Sequence, residues 1–277
     1  MSVIDTVPLG QINGTVALAG AGKMGGALLL GWLTGGLDAG RIIVIEPHPS
    51  DEINLVAKRG IRLNQPAQEV GTVDTLVVAV KPQSFREAGT SLKPFIGPST
   101  LVVSIMAGTT IASIADVCGG AVVRAMPNTP AAIGRGITVA VAASNVSAEQ
   151  RLVANALLRA TGAVEWTDDE KLMDAVTAVS GSGPAYVFLL AEELARAGIE
   201  AGLPAELATR LARQTVAGSG ELLQRSEMPA ETLRQNVTSP GGTTAAALEV
   251  LMGADGMREL LTRAVAAATR RSKELAK

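Results

Sequence analysis

The sequence predicts an α/β chain in two parts: an amino-terminal, doubly wound sheet domain over residues 1–166 and an all-α domain over residues 167–277. Three observations carry this. Short, unbroken Val/Ile/Leu/Ala runs alternate with helical stretches through the first part, as strands covered by helices on both faces do. No strand pattern follows Thr167. The second part is instead rich in Ala and Leu at helical spacing, as in the stripe of Met257, Leu260, Leu261, Ala264, Ala267 and Ala268.

Strands are expected at Thr15–Ala19, Arg41–Ile45, Thr75–Val80, Leu101–Ile105, Val122–Ala125, Ile137–Ala143 and Val164–Trp166. Helices fit between them at Met24–Thr34, Asp51–Arg59, Ile111–Asp116 and Ala148–Ala160. That repeated order argues for a doubly wound sheet. Ser147 to Gln150 has the S-x-x-Q form of a capping box and opens the Ala148 helix. Thr167 to Glu170 has the T-x-x-E form and opens the next. Helices are then expected at Asp168–Val179, Ala185–Ala201, Ala205–Leu223, Ala230–Val237, Ala245–Met252 and Met257–Leu275. So much apolar helical surface points to burial against a partner chain, with core burial within one chain as the alternative.

Composition narrows the chemistry. The chain has 277 residues, 47% hydrophobic and 18% charged, ample for a core. Its 24 Lys+Arg against 26 Asp+Glu give a net charge of −2, and only 2% of residues are aromatic, which argues against a nucleic-acid partner. There is one cysteine, Cys118, and one histidine, His48, so neither a zinc site nor a disulfide framework can be built, and no metal is expected. A reducing, cytoplasmic location fits this. Met1 to Leu9 lacks a basic start and is not a secretory signal. The apolar stretches Thr15–Gly36 and Ala175–Ala191 are interrupted by Lys23 and by Ser180–Pro184, so they read as core rather than membrane spans. Chemistry must then come from a cofactor, from Lys, Asp or Glu, or from hydroxyls and backbone.

Gly20-Ala21-Gly22-Lys23-Met24-Gly25 follows the first strand and matches G-x-G-x-x-G. With a strand before, a helix after and the acidic Glu46 about 20 residues on, this is the dinucleotide-binding setting of a Rossmann-type sheet. Gly20 permits the turn, Gly22 lets a pyrophosphate approach the backbone, and Gly25 allows close helix–sheet contact. Lys23 and Met24 open the helix whose N–H groups face the phosphates. A carboxylate at Glu46 accepts from ribose hydroxyls and repels the extra phosphate of NADP, which leans the reading to NAD. Arg41 or Lys58 lying close by would weaken that lean. His48 reads as a loop residue at the adenosine end.

Ligands of doubly wound sheets lie outside the carboxyl ends of the strands. Val80, Lys81 and Pro82 therefore face the cofactor crevice. Ala107 and Gly108 end another strand there, and Met126-Pro127-Asn128-Thr129-Pro130 a further one. The last, a rigid loop without a helix, would floor a nicotinamide pocket, with Asn128 against the cofactor. Lys81 is a candidate catalytic residue.

Two motifs mark the helical part. Ser239-Pro240-Gly241-Gly242-Thr243-Thr244 precedes a helix that Thr243 or Thr244 would cap. Its free N–H groups at a positive helix end make an anion site without Arg or Lys, suited to a small carboxylate. Ser180-Gly181-Ser182-Gly183-Pro184 interrupts an apolar helical run. Two glycines there cost about 1 kcal/mol each against Ala, so a ligand or another helix must come close. Ser182 and Gly183 are candidate substrate contacts.

Together these motifs make the chain resemble the pyrroline-5-carboxylate reductase family, the last enzymes of proline synthesis, over nearly its whole length. The resemblance implies a Rossmann-type domain followed by an α-helical domain that interlocks as a homodimer and assembles further into a decamer of five dimers. It implies reduction of a small cyclic imine carboxylate by hydride from NADPH or NADH. In the family, the threonine matching Thr244 lies beside the imine nitrogen, and Ser239 and Gly241–Thr244 hold the carboxylate. No strong general acid is needed if the substrate binds as its iminium. Glu46 departs from the residue type expected for strong NADP preference.

Two other readings compete. A β-hydroxyacid dehydrogenase shares the architecture and uses a helical lysine as its acid/base, for which Lys171 is the candidate. That motif wants an asparagine where this chain has Asp174, and such enzymes lack the Ser-Pro-Gly-Gly-Thr-Thr loop. A non-enzymatic NAD(P) sensor would have no use for that loop.

Overall fold

The computed structural model describes residues 7–275 and gathers eight strands into one sheet. They are β1 (Val16–Ala19), β2 (Ile42–Ile45), β3 (Arg62–Leu63), β4 (Thr75–Val78), β5 (Leu101–Ser104), β6 (Ala121–Met126), β7 (Gly136–Ala142) and β8 (Gly162–Trp166). The order is β3-β2-β1-β4-β5-β6-β7-β8, with β1 to β6 all parallel. Beside and between the strands run α1 (Lys23–Thr34), α2 (Asp51–Ala57), α3 (Ala67–Val70), α4 (Phe85–Leu92), α5 (Ile111–Cys118) and α6 (Ala148–Arg159).

The expected doubly wound arrangement holds, and its cause is visible in the strands. Ala17 and Leu18, Ile43 and Val44, Val102 and Val103 alternate between two apolar clusters. One holds Trp32 and Leu157; the other holds Phe95 and Ile114. Both faces are dry, so no polar alternation survives in the sequence. Each fully buried Leu or Ile contributes about 1.5–3 kcal/mol. The indole N–H of Trp32 donates to the Leu157 carbonyl at 2.9 Å, which satisfies the one polar group of that side chain.

Some elements differ from expectation. β3 and α4 were not foreseen; β3 is two residues long and α4 opens on a Pro82–Ser84 turn. β4 ends at Val78, not Val80. β7 runs antiparallel to β6, with Met126 opposite Val139. The connection leaves β6 at Met126 and enters β7 at Gly136. That is too short for the crossover of a dozen or so residues that a parallel pair needs.

After β8 come α7 (Met173–Val176), α8 (Gly183–Glu200), α9 (Ala205–Arg225), α10 (Ala230–Asn236), α11 (Thr243–Leu251) and α12 (Met257–Leu275). The chain divides into two compact units: one runs through Gly181 and regains the chain from Thr269, the other is Ser182–Ala268. The division therefore falls after the residue 166 boundary that strand counting suggested. Local bonds explain this. Glu170 accepts from the Ile111 N–H at 2.8 Å and from Arg124 at 2.9 Å. Asp174 accepts from the Ser272 hydroxyl at 2.7 Å. The Ser147 capping box forms as expected. The Thr167 box does not: Asp169 caps the turn, because Glu170 is spent on Arg124 and the α5 terminus.

Within Ser182–Ala268 only Ala208 and Ala212 are buried, while Phe188 is 67% exposed and Val250 77%. Among the described residues no helix is long and apolar enough to cross a membrane.

Candidate active site

The sheet order reverses between β1 and β4, and loops at the carboxyl ends of these strands frame a crevice of the kind that takes dinucleotides. Three glycines shape its first loop, each differently. Gly20 has φ +90°, and a Cβ there would stand 2.7 Å from the Ala79 carbonyl oxygen. A Cβ on Gly25 would stand 2.0 Å from the Gly20 oxygen, so the third glycine lets α1 approach its own turn. Gly22 caps α1 without a side chain, and nothing lies within 4 Å of its open side. The first N–H groups of α1 have no intrahelical partner. Lys23 is exposed and Met24 half-buried at that terminus.

Glu46 follows β2 immediately. Its carboxylate accepts the Ala21 N–H at 2.8 Å and the His48 N–H at 3.0 Å. His48 is exposed in that loop. Arg41 and Lys58 are not beside it. Arg41 stands at the start of β2, ion-paired with Asp38, and Lys58 closes the far end of α2. Sequence reasoning missed Asn64, whose side chain bonds to both backbone polar groups of Glu46. Its signal was faint: an Asn after the short Ile61-Arg62-Leu63 run and before Gln65-Pro66.

Val80, Lys81 and Pro82 leave the end of β4, with Val80 half-buried and Lys81 exposed. Ala107 and Gly108 follow β5, where Gly108 has φ +71° and lies against Leu275. Asn128 follows β6, and its carbonyl Oδ1 accepts the Ile137 N–H at 2.9 Å. The Pro127–Pro130 segment does contain helix, contrary to expectation: Thr129–Ile133 is a 3₁₀ turn, started by Pro130 in its first turn. All these residues share the carboxyl edge of β1, β2, β4, β5 and β6, as their parallel order requires. A cavity of about 610 Å³ lies elsewhere, around Gly31, Thr34 and Arg159, and takes in none of them.

The Ser180–Pro184 segment is no break: Ser180 and Gly181 end a π-helical turn, Thr177–Gly181, and Gly183 already opens α8. A Cβ on Gly181 would meet the Met126 methyl at 2.5 Å. The Ser180 hydroxyl is buried without a hydrogen-bond partner. A π turn is a common mark of a working site, and Ser180 was passed over in favour of Ser182 and Gly183. Those two are half-buried at the start of α8, where Ser182 caps without a side-chain bond.

In the second unit the loop before α11 leaves several polar groups open. Thr238 is spent, its hydroxyl donating to the Arg234 carbonyl at 2.7 Å. Gly241 has φ +68°, and Gly242 N–H closes the turn on the Ser239 carbonyl at 3.0 Å. The cap of α11 is Gly242, not Thr243 or Thr244. Both threonines belong to the first helical turn, because the Gly241 turn delivers the chain one residue early. Among the described residues no side chain therefore caps that terminus, and the Ser239, Thr243 and Thr244 hydroxyls bond to none of them.

Lys171 is exposed and Asp174 is taken by Ser272, so the lysine of the hydroxyacid reading has no asparagine beside it. The Cys118 thiol is buried, which pushes its pKa up to about 11 against a smaller lowering by Lys93, and it is inert. No cluster of His, Cys, Asp and Glu suited to a metal occurs among the described residues.

Two family models match separate parts of the chain. Residues 170–275 match the family described as pyrroline-5-carboxylate reductase dimerisation. Residues 15–108 match the family described as NADP oxidoreductase coenzyme F420-dependent. The chain is 40% identical over 264 residues to a Pseudomonas aeruginosa pyrroline-5-carboxylate reductase, covering 94% of this chain and 96% of that one. It is 35% identical over 274 residues to the enzyme of that name from Pisum sativum, covering 98% and 100%. A Coxiella burnetii pyrroline-5-carboxylate reductase superposes with a TM-score of 0.88 at 35% identity, covering 96% of this chain and all of that one (100%). A Plasmodium falciparum pyrroline carboxylate reductase with NADP bound superposes with a TM-score of 0.80 at 31% identity, covering 96% and 99%.

Proposed function

The chain belongs to the pyrroline-5-carboxylate reductase family, and we propose that its two units divide the work of that reaction. The reaction is the reduction of 1-pyrroline-5-carboxylate to L-proline, with NAD(P)H as hydride donor. When bound, the cofactor supplies a hydride from carbon 4 of its nicotinamide. Gly20, Gly22, Lys23, Met24 and Gly25 hold its pyrophosphate and Glu46 its adenosine ribose. Val80, Lys81, Pro82, Ala107, Gly108 and Asn128 line the edge along which the rest of it lies, and Lys81 supplies positive charge there.

The substrate falls to Ser182–Ala268. The observation that carries this is the open amino end of α11: three unspent hydroxyls, a side-chain-free cap, and no Lys or Arg from Val237 to Leu251. Such a terminus takes a small carboxylate through N–H groups and hydroxyls. Ser239 and Gly241–Thr244 bind that carboxylate, with Ser182 and Gly183 as further contacts, and Thr244 accepts from the iminium N–H. Bound as its iminium, the substrate already carries its proton, so hydride addition gives the amine without a protein acid. Rate then comes from orientation and fixed dipoles.

The protein is a homo-oligomer. We assign it a homodimer through the helical unit, because that unit leaves nearly all its large apolar side chains exposed; assembly of five dimers to a decamer is what the family resemblance implies. One cysteine and a nicotinamide reductant fit a cytoplasmic setting. The hydroxyacid and sensor readings are not favoured.

The test is steady-state kinetics with 1-pyrroline-5-carboxylate, NADH and NADPH in parallel, and with 3-hydroxy acids in the oxidative direction. Turnover of the imine alone is expected. Turnover of 3-hydroxy acids, or none of either, overturns the assignment. Light scattering on the same sample checks the dimer and decamer.

A further inference from the structure

We propose that Asn64 and Glu46 form a clamp on the Gly20–Gly25 loop that makes this chain select NADH over NADPH, with Asn64 as the positioning residue. The inference rests on reading that loop as the dinucleotide site.

Asn64 has φ +53° and is the one non-glycine residue with a positive φ among those described. Asparagine tolerates that left-handed conformation better than most residues. The conformation is held: the Asn64 N–H donates to the Val44 carbonyl at 2.8 Å. Its side chain then brackets the backbone of Glu46. Oδ1 accepts the Glu46 N–H at 2.8 Å, and Nδ2 donates to the Glu46 carbonyl at 2.9 Å. Both main-chain polar groups of Glu46 are thus fixed by one side chain from the neighbouring strand end.

The carboxylate is fixed as well. One oxygen accepts the Ala21 N–H at 2.8 Å, the other the His48 N–H at 3.0 Å. An ionised carboxylate offers about four lone-pair sites, so roughly two remain for ribose hydroxyls. Swinging it aside to admit a 2′-phosphate would break both bonds. That phosphate carries about −1.5 to −2 at neutral pH. It would meet Glu46, and the first turn of α2, which follows in the chain, adds two further carboxylates at Asp51 and Glu52. No Lys or Arg occurs from Glu46 to Ala57. Arg41 and Lys58 stand at the other ends of β2 and α2. Lys23 opens α1, where the pyrophosphate is expected.

The test is equilibrium titration of the full-length protein with NADH and with NADPH, following nicotinamide fluorescence. The wild type should bind NADH more tightly by about tenfold or more, the discrimination expected of an acidic residue at this place. Glu46→Ser should bring the two Kd values within about threefold, mainly by tightening NADPH. Asn64→Gly keeps the backbone conformation and deletes the bracket; it should lower the NADPH/NADH Kd ratio several-fold. Asn64→Asp retains an acceptor for the Glu46 N–H and should restore part of the ratio. In a Glu46→Ser background, Asn64→Gly should leave the ratio unchanged, since the residue acts through Glu46. The ratio is independent of the fraction of folded protein, so mild destabilisation does not blur it. Equal binding of the two cofactors by the wild type, or an unchanged ratio in Asn64→Gly, overturns the clamp. Binding of neither cofactor overturns the reading of the loop and the clamp with it.

Discussion

The two units keep their apolar residues in opposite ways. The unit that ends at Gly181 buries whole strands, with Val16, Leu18, Ile43 and Val102 all essentially dry. Ser182–Ala268 buries two alanines and leaves Phe188, Leu189 and Leu190 on its surface. Charges follow the same division. In the first unit Arg124, 5% exposed, holds Glu170. In the second, Arg196, Arg210 and Arg225 pair within single exposed helices. One unit is stabilised by its own interior; the other leaves its apolar side chains uncovered, and residues 170–275 match a dimerisation family.

The sharpest break of that contrast is a charge on the second unit's apolar surface. Phe188→Asp should dissociate the oligomer and abolish turnover, since an unpaired carboxylate would be buried at the contact at a cost of several kcal/mol. Leu55→Asp, on a residue 65% exposed in the first unit, should do neither. Light scattering and activity read both; an intact oligomer in Phe188→Asp would mean that this face is not an interface.

Next in size is the ion pair. Glu170→Ala strands a buried guanidinium and should cost about 3–5 kcal/mol in urea unfolding. Arg196→Ala in the second unit should change stability immeasurably, because its partners are exposed. Equal effects would erase the distinction between the units.

Thr244→Ala tests the working end of the second unit. Loss of one hydrogen bond to a charged ligand is worth about 1.5–3 kcal/mol, or roughly 10- to 150-fold in kcat/KM. Cofactor Kd should hold, because the cofactor belongs to the other unit. Loss of cofactor affinity instead would move this loop out of the substrate's half.

The smallest effect belongs to Cys118. Its thiol pKa is raised by burial from 9.0 to about 11. The buried neutral thiol therefore favours the fold fully below pH 9, and this contribution is lost as pH rises from 9 to about 11. Cys118→Ala should flatten that slope in urea midpoints measured across the window. An identical slope in both proteins would place the sensitivity elsewhere.

The strands, most helices and the glycine loop were legible because each is written locally. Uninterrupted runs such as Leu101–Ser104 mark strands dry on both faces. Gly20, Gly22 and Gly25 answer close approaches a few residues away. What escaped was set by distant partners. β3 is two residues long and exists only because Ile43 and Val44 offer it an edge. The fate of Glu170 depended on Arg124, 46 positions earlier. The place of Thr243 in its helix depended on the backbone sign at Gly241.

The sequence by itself determined that this chain is a two-part α/β protein with a dinucleotide-type glycine loop and a Ser-Pro-Gly-Gly-Thr-Thr loop, since hydrophobic period and glycine spacing are properties of neighbouring residues. Tertiary structure alone decided the direction of β7, the boundary at Gly181 and the grip of Asn64 on Glu46. A hydrogen bond or an ion pair across 18 or 46 positions leaves no period in a sequence, because its geometry exists only once folding has brought the two segments together.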